Sequence, residues 1–176
     1  MDSSTGQLLQ AISSGDFEKT KIMFSSGEID INTTDENGLT PLQQACFSGQ
    51  TEIVEFLIKN GANVNSNKHK EGYTALMFAG IVGNLQIVEI LLRNGARIND
   101  TNRLGRTASQ MAAFVGNHQA VALINNFIEK DTILHYTRIH GLSKEPKISP
   151  VLANTLHALI ISPNFTPVKR VSCQNV

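Results

Sequence analysis

Ten glycines punctuate this chain at a fixed interval, and that interval constrains the fold more than any other feature. Gly38, Gly72 and Gly105 lie 34 and 33 residues apart, and Gly15, Gly49, Gly83 and Gly116 lie 34, 34 and 33 apart. Gly27, Gly61 and Gly95 are each separated by 34. Such a period marks a solenoid, in which each unit buries its apolar face only against its neighbours. The clearest copy is the stretch 70–99, which reads as a turn, a short helix, a glycine break, a second apolar helix and a closing glycine.

Two short helices per unit follow from the spacing of apolar residues. Ile53, Val54, Leu57 and Ile58 form a helical stripe, repeated by Ile87, Val88, Leu91 and Leu92. Gly61 and Gly95 follow directly, where a left-handed residue ends a helix without a Cβ penalty. Thr40-Pro41 opens the first helix of one unit, with proline suited to a first turn that has no use for its missing N–H. Thr74-Ala75 and Thr107-Ala108 take the same place in the next two units, and Ala45, Ala79 and Ala112 keep one face small. Polar, turn-rich segments at 32–38, 65–72 and 99–105 read as protruding hairpins, the middle one a residue longer.

The end units differ from the inner ones. Lys19 and Thr20 replace the branched apolar pair of the first unit, which predicts that this end faces water. In the fourth, Asn125 stands in the stripe and Ile128 replaces the closing glycine. A stack exposes its last apolar face unless something covers it. The segment 128–176 is the candidate cover: Ser149-Pro150 reads as N-cap and first turn of a helix over about 149–162. Val151, Leu152, Leu156, Leu159 and Ile160 then follow at helical spacing.

Several classes are disfavoured. Net charge is zero, so nothing global attracts nucleic acid or an anionic membrane, and the first repeat is acidic. No apolar run reaches the length of a membrane span, and the first thirty residues lack a secretory pattern. Cys46 and Cys173 are too few for a disulfide framework or a zinc cluster, which points to a reducing, intracellular setting. His69, His118, His135, His140 and His157 show no ligand spacing, and no phosphate loop or nucleophile elbow is present. The expectation is no catalytic residue, metal or cofactor.

Gly38-Leu-Thr-Pro-Leu, the alanine near the end of the first helix, Ile53-Val-Glu-Phe-Leu-Ile and Asn60-Gly-Ala-Asn-Val-Asn resemble ankyrin repeats. The resemblance covers roughly 6–127. It implies an all-α ankyrin solenoid of four helix-turn-helix repeats with hairpin loops (about 1–37, 38–71, 72–104 and 105–127), capped by the non-ankyrin helix of the tail. Gln43, Met77 and Gln110 stand where that pattern usually has His after Leu, which predicts a weaker polar link between repeats.

A narrower likeness lies in Gly72-Tyr-Thr-Ala-Leu-Met-Phe-Ala with the longer loop and His69 before it, and in Gly105-Arg-Thr-Ala. Gln110-Met-Ala-Ala-Phe-Val-Gly, Ile124-Asn-Asn-Phe, Lys144-Glu-Pro-Lys and Pro167-Val-Lys extend it. These resemble the ankyrin-repeat and MYND-domain proteins. The resemblance implies a cytoplasmic and ciliary adaptor that helps deliver membrane cyclases and signalling components, working with an FKBP-type immunophilin. The Cys/His cluster of the MYND zinc finger is missing, so zinc does not carry over, and the chain reads as a fragment or a short form.

In an ankyrin array the hairpin tips and first helices line a concave groove. That places Leu39, Phe47 and Ser48 of the second repeat there, with Tyr73, Ile81 and Val82 of the third and Arg103, Arg106, Phe114 and Val115 of the fourth. Phe47, Ile81-Val82 and Phe114-Val115 run in file as an apolar row, which in a monomer marks an interface, with Tyr and Arg as anchors. The competing reading is that these side chains tuck between repeats or lie under the tail. Two function classes follow: an adaptor or scaffold that binds a partner protein, and a regulatory subunit that inhibits a partner enzyme.

Overall fold

The computed structural model describes residues 3–27 and 29–127, together with Leu152 and Thr155. Among them are eight helices and no extended strand. They are α1 (Ser3–Ser14), α2 (Phe17–Ser25), α3 (Pro41–Phe47), α4 (Thr51–Lys59), α5 (Ala75–Val82), α6 (Leu85–Arg93), α7 (Ala108–Phe114) and α8 (His118–Asn126). The chain divides into two compact units, Met1–Asn125 and Asn126–Val176. The helix expected over 149–162 and its capping role lie outside the described residues, apart from Leu152 and Thr155, which are both helical.

Local chemistry fixes where each helix begins. Thr40, Thr74 and Thr107 adopt extended backbone, and each hydroxyl accepts from the amide three residues on, satisfying an N–H that has no partner inside the helix. At Thr40 and Thr107 the bond is reciprocal, because Gln43 Oε1 accepts from Thr40 N and Gln110 Oε1 from Thr107 N. The second helices of the two inner units carry the branched apolar stripe. Ile53, Val54 and Leu57 of α4 and Ile87, Val88, Leu91 and Leu92 of α6 are buried, as their period predicts.

The first helices, α1, α3, α5 and α7, stack as one row and approach each other more closely than do α2, α4 and α6 of the second row. Small residues permit this. Ala45, Ala79 and Ala112 are fully buried, and Gly80 sits so close to α7 that an added Cβ would lie 3.3 Å from Ala108 O and 3.4 Å from the Ala112 methyl. A row drawn tighter on one side curves the repeats toward that side, and the concave face therefore belongs to the first helices.

Two sequence expectations are corrected here. Thr20 does not face water: it is fully buried, its hydroxyl donating to Asp16 O at 2.7 Å, so the polar atom is satisfied inside its own helix while the methyl packs. The link between the second and third repeats is not weakened by Gln43. That side chain is buried and donates across the junction to Ser66 O at 3.1 Å and Tyr73 O at 2.9 Å. A longer donor reaches two carbonyls at once.

Asparagines stitch neighbouring repeats together. Asn32 accepts from Asn63 N at 2.7 Å, and Asn65, its counterpart in the next unit, accepts from Arg97 N and donates to Gly95 O, both at 2.9 Å. Asn117 donates back to Gly80 O at 3.0 Å and Ile81 O at 2.7 Å.

Candidate functional site: the concave face and its fingers

Three hairpin fingers precede α3, α5 and α7 and are named by the repeat that each opens, the second, third and fourth. Each tip turns on the same bond, Gly38 N to Asp35 O, Gly72 N to His69 O and Gly105 N to Asn102 O. Gly38 is required at its place: φ is +75°, and a Cβ there would collide with Lys68 O of the neighbouring finger. The fingers are joined side by side by backbone bonds, Lys70 N to Asn37 O at 2.8 Å and Arg103 N to Glu71 O at 3.0 Å. They form one continuous rim rather than three independent loops.

Inside the fingers, the turn residue differs. Asp35 Oδ1 accepts from Asn37 N and Leu39 N, and Asn102 Oδ1 accepts from Leu104 N and Arg106 N. His69 holds the same position in the longer third finger and accepts with Nδ1 from Glu71 N at 3.2 Å. Its ring then does what the smaller residues cannot. It packs edge-on against Tyr73 and Phe78, with centroids 5.4 and 5.6 Å apart. Tyr73 stacks on Phe78 at 5.3 Å and Phe47 meets Phe78 edge-on at 5.7 Å. Phe78 is thus the hub of a four-ring cluster binding the finger to the floor, and sequence reasoning passed over it. In register Phe78 takes the place held by Gln44 and Met111 in the adjacent repeats, so the period carries no aromatic signal there.

The expected site residues are brought to this face with unequal exposure. Phe114 is 73% exposed, Phe47 53%, Val115 45% and Val82 42%, so four members of the predicted row are open. Ile81, Leu39 and Tyr73 are half-buried, and Ser48 at the end of α3 receives a bond from Gln44 Nε2 at 3.0 Å. Arg103 and Arg106 are exposed, and the Arg106 guanidinium lies over the Phe114 ring at 5.1 Å. The competing reading holds in part for Phe47 and Tyr73, which spend one face each on Phe78.

Elsewhere the chemistry is sparse. A cleft of about 370 Å³ between the third and fourth fingers is lined by Arg97, Arg103 and Asp100 among uncharged residues, with Arg97 and Asp100 3.9 Å apart. Cys46 is fully buried, and desolvation pushes its thiol far above the ordinary range, which makes it a packing residue rather than a nucleophile. Among the described residues, no group of three His, Cys, Asp or Glu is placed to hold a metal, and no helix is long and apolar enough to cross a membrane.

The family model of ankyrin repeats, in three copies, matches residues 8–102. The chain belongs to the ankyrin-repeat family. Over 71 residues it is 42% identical to Dauer abnormal formation protein 25 of Caenorhabditis elegans, a stretch amounting to 39% of this chain and 18% of that protein. The match therefore spans under a fifth of the relative's length. Ankyrin repeats are protein-interaction modules.

Proposed function

We propose that the chain is an adaptor or scaffold that holds a partner protein on its concave face. The observation carrying this is the file of open apolar side chains, Phe47, Val82, Phe114 and Val115, on the one surface that ankyrin arrays use for binding. Their exposure costs solubility in isolation and is repaid when a partner covers them. The partner is a protein rather than a nucleic acid, since net charge is zero and the helices that form the floor carry no charged side chain of their own.

The likeness of the third and fourth repeats to the ankyrin-repeat and MYND-domain proteins extends the proposal to delivery of signalling proteins toward cilia. Membrane cyclases or an FKBP-type immunophilin are the partners that this likeness suggests, and a cytoplasmic and ciliary location goes with them. Affinity capture with three variants tests the groove. Val82→Asp and Phe114→Asp should each lose the captured partners, whereas Ile22→Asp, an exposed apolar position on the second-helix row, should keep them. Retention by all three variants defeats the groove reading. Assaying the captured partner's turnover then decides between a scaffold, which leaves it unchanged, and an inhibitory subunit, which lowers it.

A further inference from the structure

The concave face separates apolar contact from charge. The four first helices, α1, α3, α5 and α7, contain no Asp, Glu, Lys, Arg or His at all, whereas α2, α4 and α6 are each studded with charge. Among the described residues, the charges near the groove therefore sit on the fingers, and the fingers differ in sign. The second exposes Glu36 and ends on Asp35, whose carboxylate is committed to its own turn. The third exposes Lys68 and Lys70 beside Glu71, and the fourth exposes Arg103 and Arg106. Among the described residues, neither Lys68, Arg103 nor Arg106 has a carboxylate within ion-pair distance, and Asp100 faces Arg97.

Building on the groove reading, we infer that the occupant is an acidic peptide segment with apolar anchors. Its aliphatic or aromatic side chains lie on Val82, Phe114 and Val115, and its Asp or Glu side chains reach Lys68, Lys70, Arg103 and Arg106. Two features of the structure fix this pairing of chemistries. The Arg106 guanidinium rests on the Phe114 ring, so a cation and an apolar surface are offered at one point, and an apolar side chain with a carboxylate next to it satisfies both. The finger-to-finger bonds at Lys70 N and Arg103 N hold the basic tips in line, so the cations are presented as a row without the entropy cost of ordering separate loops. A basic segment would meet like charge along two of the three fingers, and a wholly apolar one would leave those cations to be desolvated without partners.

A random peptide library displayed on phage, selected against the full chain, tests this directly. The expected winners combine Asp or Glu with Leu, Ile, Phe or Trp. Their synthetic copies should bind the Arg103→Glu/Arg106→Glu double variant on the order of tenfold more weakly and lose affinity with rising salt. The arginines are exposed and form no buried contact, so the double variant should keep the wild-type melting curve, and circular dichroism verifies that. Winners that are neutral or basic yet fail on Val82→Asp overturn the acidic assignment and leave the groove reading intact. Winners indifferent to both sets of substitutions, or no enrichment at all, overturn the two together.

Discussion

The junction between the second and third repeats and the junction between the third and fourth use the same position in opposite ways. Gln43, in the first, spends its whole amide: Oε1 takes Thr40 N, and Nε2 ties Ser66 O and Tyr73 O. Met77, one period later, is equally buried and offers only a side chain with no hydrogen-bonding N–H or O–H. The fingers explain the difference. The second and fourth close at the base by themselves, Asp35 N to Leu39 O and Asn102 N to Arg106 O. In the third, which is a residue longer and turns on His69, Tyr73 O is held instead by Gln43 from the preceding repeat. A finger that closes itself leaves the position behind it free to be apolar, and a finger that does not recruits a donor there.

The largest effect should come from breaking that recruited link. Gln43→Leu strands one buried N–H and two carbonyls, and should cost on the order of 3 kcal/mol in chemical denaturation. Met77→Leu, matched in burial and near in volume, should cost under about 1.5 kcal/mol. Equal losses at the two positions would mean that packing rather than hydrogen bonding carries both junctions. The network has its own cost, since Ser66 Oγ is buried beside it with no partner among the described residues.

Next in size is the small-residue contact that compensates at the apolar junction. Gly80→Leu forces a branched side chain against Ala108 O and the Ala112 methyl, and should cost about 1–3 kcal/mol by overpacking. Gly80→Ala should change stability by less than about 1 kcal/mol, because the gain in helix propensity offsets a Cβ that is tight by only a few tenths of an ångström. If the alanine variant lost as much as the leucine one, α5 and α7 would be unable to give at all.

How much of this could be read beforehand follows from the range of each interaction. The solenoid, the helix boundaries and the buried stripes were legible because glycine spacing and apolar period are local signals, repeated often enough to check one another. The exposed row at Phe47, Val82, Phe114 and Val115 was legible for the same reason, once one repeat's inner face was assigned. The role of Gln43 is not legible locally, because it depends on carbonyls of a loop 23 to 30 residues away. Thr20 was misjudged because a hydroxyl that bonds inside its own helix buries as readily as a valine. Phe78 was passed over because its neighbours in register, Gln44 and Met111, gave no hint of an aromatic hub.

The smallest predicted differences lie on the outer row, where two asparagines in register do unlike work. Asn84 Oδ1 accepts from Ile87 N at 3.2 Å and caps α6, while its amide reaches Gly49 O and Thr51 Oγ1 only at 3.4 Å. Asn117 instead works as a donor, at 3.0 and 2.7 Å to Gly80 O and Ile81 O. Aspartate separates the roles because it keeps the acceptor and deletes the donor. Asn117→Asp should lose about 1–2 kcal/mol, since a carboxylate then faces two carbonyls across the junction. Asn84→Asp should stay within about 0.5 kcal/mol of wild type, because Asp caps a helix as well as Asn and adds a negative charge at its positive end. Melting of the two variants side by side reads the contrast. A loss at Asn84→Asp as large as that at Asn117→Asp would show that the long bonds to Gly49 and Thr51, and not the cap, are what Asn84 contributes.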